Sequence, residues 1–260
     1  MKIRDIVLIG SGNLATNLAI ALTEAGKNIV CVYSRTLGNA ELLAEKCNAR
    51  FTNRLEDVPT TADLYVIAIN DGMIKEVVDK ISNYSGIIVH TSGSIPISVF
   101  PNSLKQFGVF YPLMMFSKKN IVPFTDIPIC LEANDNSTLE TLTELASSIS
   151  NNVSEISSEK RKILHLAAIF ACNFTNLNYA IAEDILKSNQ LSFNLIKPLI
   201  KETAEKIQHN SPSEVQTGPA FREDYDVMHH QLEMLNAMPE YQQMYELLSN
   251  IILSIKHKND

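Results

Sequence analysis

Gly10-Ser11-Gly12-Asn13-Leu14-Ala15 follows the apolar run IVLIG and leads into a stretch with helical period. In such a pattern Gly10 permits a tight turn, and Gly12 lets backbone N–H groups approach an anion. Ala15 is small enough for the helix to pack close to the strand. Asn13 and Leu14 begin that helix, whose positive end would face the anion. This is the dinucleotide fingerprint with alanine in its third place. A second run, NIVCVY, ends at Tyr33, at about the 20-residue spacing at which an NAD site places an acidic residue on the ribose 2′-OH. Ser34 and Arg35 stand there instead. A hydroxyl and a planar guanidinium suit a 2′-phosphate, so the expected cofactor is NADP(H).

Ligands of open α/β sheets bind beyond the carboxyl ends of the strands. The run LYVIAI is followed by Asn70-Asp71-Gly72, GIIVHT includes His90 and leads to Ser92-Gly93, and FGVFYP ends in Tyr111-Pro112. Asn70, Asp71 and His90 are therefore expected to flank the cofactor. Ser92 could hydrogen-bond a substrate carboxylate or carbonyl, and His90 could relay a proton. The competing reading is that both satisfy turn backbone groups. Further on, His165 and Asn173 interrupt an apolar helical stretch. At 100° per residue they lie roughly 80° apart, two turns along one broad face. His165 is the candidate proton donor, with Asn173 and Ser92 orienting a substrate; the alternative is a pair of satisfied core residues. Asp224 could cap a helix and Arg222 could bind a carboxylate. No metal site is expected: His229 and His230 are adjacent and point about 100° apart, and the four cysteines show no ligand spacing.

The elements that must hold these groups follow from the pattern. From Met1 to about Val153, short β-branched runs alternate with helical stretches at Asn13 to Ala25, Asn39 to Cys47, Gly72 to Ile81 and Ser137 to Ile149. That alternation predicts a Rossmann fold, a doubly wound and mostly parallel α/β sheet. A short strand is expected at FTN from Phe51. Beyond Ser154 the runs cease, and helical patterns cover Ser157 to Ser188, Ser192 to His209, Tyr225 to Ala237 and Glu240 to Lys256. The expected division is a cofactor domain over residues 1–153 and an all-helical substrate and dimerisation domain over 154–260.

The 260 residues, 45% of them hydrophobic, suffice for a real core without disulfides or metal. A net charge of -7 with mixed signs leaves no basic stripe for a nucleic acid. No run approaches the roughly 20 apolar residues that cross a bilayer, and the N-terminal apolar stretch is too short for a secretion signal. A reduced, cytoplasmic setting is expected.

Across nearly its whole length the chain resembles two-domain bacterial Rossmann-like proteins whose C-terminal half is a domain of unknown function. The likeness is carried by GSGNLA at Gly10, HTSGS at His90, YPLMMFS at Tyr111, the His165 to Asn173 segment and TGPAFRED at Thr217. These proteins are similar to pyrroline-5-carboxylate reductase, deazaflavin-dependent NADP oxidoreductases and β-hydroxyacid dehydrogenases. The resemblance implies an NADP-dependent oxidoreductase and a homodimer built through the helical domain. It names no substrate. The chain departs from the pattern at Glu223, where Gly is usual, and at Gln231 and Tyr111, where His is common. Lys162 lies eleven residues before Asn173, so no Lys-x-x-x-Asn pair is present. The expected reaction moves hydride between NADPH and a small carbonyl, imine or hydroxy acid, held between the strand ends and the helical domain. A non-catalytic NADP(H) sensor or partner-binding protein is the alternative; a purely structural helical protein would require the glycine turn to be idle.

Overall fold

The computed structural model describes residues 2–259. The chain forms two compact units that divide between Cys172 and Asn173.

The first unit is built on an eight-stranded sheet in the order β3-β2-β1-β4-β5-β6-β7-β8. Its strands are β1 (Asp5–Ile9), β2 (Asn28–Tyr33), β3 (Arg50–Thr52), β4 (Leu64–Ile67), β5 (Ile87–His90), β6 (Phe107–Pro112), β7 (Ile129–Ala133) and β8 (Val153–Glu155). All neighbours are parallel except β6 and β7. The expected mostly parallel, doubly wound α/β sheet is what forms. The short strand expected at Phe51 is β3, whereas β8 gave no signal in the sequence.

Alternation along β1 explains the double winding. Ile6 and Leu8 enter one core with Leu18 and Leu22 of α1 (Asn13–Glu24), Leu43 of α2 (Leu37–Cys47) and Leu142 and Leu145 of α4 (Asn136–Ser147). Val7 and Ile9 enter a second core with Val77, Val78 and Ile81 of α3 (Ile74–Ile81). A strand buried on both faces needs apolar residues at every position, as parallel sheets do. Asp135 caps α4, its Oδ1 accepting the Thr138 N–H at 2.9 Å. One further helix, α5 (Ser158–Ala168), belongs to this unit.

The uninterrupted helix expected from Ser157 to Ser188 is broken by a π-helical segment, Ile169–Phe174, before α6 (Thr175–Ser188). The second unit also contains α7 (Lys197–Lys206), α8 (Tyr225–Met234) and α9 (Pro239–Asn259). Asp224 caps α8 by accepting the Val227 N–H at 3.3 Å. Glu223 has φ +57°. That left-handed conformation favours Gly, and here the Glu side chain bonds His257 at 2.7 Å and Lys256 at 3.2 Å on α9. Among the described residues no helix is long and apolar enough to cross a membrane.

Candidate functional site

β1 has β2 on one side and β4 on the other. Connections leave in opposite directions there, and such a switch point opens a crevice beyond the strands' carboxyl ends. The crevice is a cavity of about 720 Å³. Gly10, Gly12, Asn13 and Leu14 form one wall, Ser34 and Arg35 a second, and Asn70, Asp71 and Ser92 a third.

Each wall has a local cause. The Gly10 N–H donates to the Tyr33 carbonyl at 2.8 Å, with φ +123°, and a Cβ there would lie 2.1 Å from the Ala68 carbonyl oxygen. Only glycine fits that turn. Gly12 precedes α1 without a side-chain cap, and a Cβ at Gly12 would meet nothing within 4 Å. The uncapped first-turn N–H groups and the helix dipole thus face open space, which is what an anion requires. Ala15 is fully buried in the core beneath, where it acts by its size. The Ser34 hydroxyl accepts from Ser11 at 2.8 Å, and Arg35 is exposed and lines the same cavity. Asn70 accepts the Gly72 N–H at 3.1 Å and so shapes its own turn.

His90 was expected to flank the cofactor, and its location differs. It is the last residue of a strand buried on both faces, so it is fully enclosed and does not line the cavity. Its Nδ1 accepts the Ser92 N–H at 3.2 Å, and its ring stacks on Phe100 at 5.5 Å. Burial, reinforced by the nearby Arg161 charge, lowers its pKa to about 3. The ring is therefore neutral and fixes the turn that carries Ser92. Ser92 itself lines the cavity, but its Oγ accepts two turn amides, from Ser94 and Ile95, each at 3.0 Å. What remains for a ligand is its single O–H donor.

His165 lies on α5, and Tyr111 near the end of β6 reaches it. The Tyr111 hydroxyl is 2.9 Å from His165 Nδ1. Both rings pack on the backbone of Gly93, where a Cβ would be 2.7 Å from His165 Cγ and Nδ1 and 2.9 Å from Tyr111 Cζ. Gly93→Ala is thus expected to destabilise the protein by about 1–3 kcal/mol, as overpacking does, and to separate the two rings. An unchanged urea midpoint would contradict this. Asn173 does not keep the face expected of it. It sits in the π-helical segment, is exposed, and opens the second unit. A π turn closes i→i+5 bonds, so the phase of a straight α-helix is not carried through it.

The first unit's residues 5–92 match the family described as NADP oxidoreductase, coenzyme F420-dependent, and residues 127–252 match the Domain of unknown function (DUF2520). A crystal structure of a provisionally named NADP oxidoreductase from Bacteroides fragilis is 45% identical, with 97% of this chain and 98% of that chain covered and a TM-score of 0.93. The chain belongs to the NADP oxidoreductase family. That membership makes it an NADP(H)-dependent oxidoreductase. More distant structures share the fold. A 1-pyrroline-5-carboxylate reductase from Streptococcus pyogenes is 13% identical, covers 96% of this chain and 98% of its own, and has a TM-score of 0.64. An imine reductase from Myxococcus stipitatus in complex with NADP⁺ is 14% identical, covers 98% and 93%, and has a TM-score of 0.63. No curated protein matches the chain.

The residues present fit the family's cofactor. The uncapped N-terminus of α1 would hold the pyrophosphate and Arg35 the 2′-phosphate. A further cation, Lys118, lines the cavity and was not anticipated. The buried Asn17 of α1 brings it there, donating to the Ser117 carbonyl at 3.0 Å and accepting the Val122 N–H at 3.2 Å. Asn13 Oδ1 accepts the Lys118 N–H at 3.2 Å. These bonds join positions about a hundred residues apart, and no local spacing signals them. The contact of Gly93 and Tyr111 with His165 likewise joins distant segments and has no local signal.

Proposed function

We propose that the protein transfers hydride between NADP(H) and a small carbonyl, imine or hydroxy-acid substrate. His165 supplies the proton, and Ser92 and Asn173 orient the substrate. The observation that supports this reading is the position of His165: it packs on Gly93, the residue after Ser92, and Ser92 lines the cavity. Residues 1–153 form the cofactor part in this reading, with Gly10, Gly12, Asn13, Leu14, Ala15, Ser34, Arg35, Asn70 and Asp71 shaping or touching the cofactor. His90 contributes by holding the turn. Residues 154–260 serve substrate binding and dimerisation.

The test begins with melting temperature, which a ligand of the folded state must raise. NADPH should raise it and NADH should do so less. NADPH consumption with a panel of aldehydes, ketones, cyclic imines and 2-oxo acids then identifies turnover. A His165→Ala variant that turns over a substrate as fast as wild type would count against the proton donor, and Asn173→Ala is measured beside it. Arg35→Ala should weaken NADPH about 10–100-fold, the equivalent of one charge-assisted hydrogen bond, and leave NADH unchanged. Calorimetric titration with both nucleotides checks this; equal weakening of the two would reject a 2′-phosphate contact.

A homodimer through the helical unit is part of the proposal. Among its described residues only Ala220, Met228, Leu235 and Ser249 are buried, while Leu195, Leu199, Leu247 and Ile255 are at least half exposed. A helical layer with so much exposed apolar surface calls for a partner. Light scattering after size exclusion gives the mass in solution, and a monomer at micromolar concentration would reject it.

A further inference from the structure

The Tyr111 and His165 side chains come from the end of a central strand and from the first helix after the sheet, 54 residues apart. Their rings meet edge-on, with centroids 6.0 Å apart at 76°. Gly93 beneath leaves no room for either ring to move down. Tyr111 is 7% exposed, and burial pushes its phenol up to about 12, so it remains a hydroxyl at neutral pH. Among the described residues its oxygen has one hydrogen-bond partner, His165 Nδ1. A hydroxyl proton has to be placed on an acceptor when it is buried. If Nδ1 carried a proton, two donors would face each other or the phenol proton would be left without an acceptor. With Nδ1 bare, both groups are satisfied. The proton of the neutral imidazole then resides on Nε2, the nitrogen that makes no hydrogen bond to a described residue and is not among the enclosed atoms.

We propose that Tyr111 is a positioning residue that holds His165 in its Nε2–H tautomer, so that the substrate group meeting it is a neutral acceptor, a carbonyl oxygen. A protonated imine would present a second donor to the Nε2–H. A hydroxy acid awaiting oxidation would need a base, and this nitrogen already holds its proton. The Nε2–H is instead matched to an oxygen on which negative charge develops as hydride reaches the carbonyl carbon; that oxygen takes the Nε2 proton while Nδ1 takes the phenol proton of Tyr111, which water then restores. The assignment of the acceptor rests on the oxidoreductase reading above; the tautomer does not.

Long-range proton–nitrogen NMR of ¹⁵N-labelled protein, at an alkaline pH where imidazole is neutral, tests the tautomer without cofactor or substrate. His165→Gln identifies the resonances by their loss. Wild type should show a protonated Nε2 and a bare Nδ1 displaced by an accepted hydrogen bond. In Tyr111→Phe that displacement should vanish and the second tautomer should become detectable. A protonated Nδ1 in wild type, or a spectrum unaltered by Tyr111→Phe, would overturn the proposal; if the variant does not fold, the wild-type spectrum decides alone. With NADPH, turnover of ketones or aldehydes supports the acceptor, and turnover confined to cyclic imines overturns it. A missing rise in melting temperature with NADPH speaks against the oxidoreductase reading, and the spectrum still decides the role of Tyr111.

Discussion

Arg161→Met will cost the fold about 3–5 kcal/mol, because removing one partner of a buried ion pair strands the other. Arg161 is 0% exposed, and its guanidinium donates to the Glu132 carboxylate on β7. It also donates to the Ile95 carbonyl at 2.7 Å and to the Ser158 hydroxyl at 3.2 Å. Glu132 accepts in turn from the Ser158 N–H at 3.0 Å and its hydroxyl at 2.7 Å. One ion pair therefore ties together a sheet strand, the loop that follows Ser92 and Gly93, and the first turn of α5. His165 stands one turn further along that helix. The double variant Arg161→Met with Glu132→Leu should recover much of the loss, since no charge is then left in the interior. Urea denaturation of both single variants and the double gives the coupling, and costs that simply add would sink the idea.

Acid will weaken the protein through His90. An unfolded histidine takes up its proton near pH 6.5, whereas the enclosed ring does so at about pH 3. Between those values the unfolded chain binds one more proton than the native state, so stability falls as pH falls. The contribution is complete above pH 6.5 and declines by roughly 1.4 kcal/mol per pH unit below it, about 3 kcal/mol between pH 7 and pH 4. His90→Asn keeps an acceptor for the Ser92 N–H and cannot titrate. Its stability should be lower at pH 7 and should change with pH by one proton less. Urea midpoints from pH 7 to pH 4 for both proteins provide the measurement, and equal slopes would assign the acid sensitivity elsewhere. Because Arg161 helps to lower the His90 pKa, Arg161→Met should raise the pH at which this loss levels off, with the slope above it still near one proton.

The glycine-turn wall of the cavity could be read along the chain because its determinants are local. Gly10 and Gly12 act through the backbone of one turn, and Ser34 and Arg35 through their place directly after a strand. A turn needs only its own residues to be specified, and parallel strands have an unmistakable β-branched composition. The three-residue β8 could not be read in this way, since pairing with β7 is what makes it a strand. Nor could the break at Ile169–Phe174, where the local pattern still has helical period.

The sequence by itself determined the sheet and the glycine turn, and it put Ser34 and Arg35 at the cavity that this turn lines. Only the tertiary structure decided what the histidines do. His90 and His165 are the same side chain with the same intrinsic proton affinity, and neither neighbouring sequence tells them apart. Enclosure at the end of β5 makes His90 a neutral prop for a turn, while a tyrosine 54 residues away and a glycine beneath it fix the place of His165. Desolvation and hydrogen-bond partners set the state of an imidazole, and both are properties of packing between distant segments.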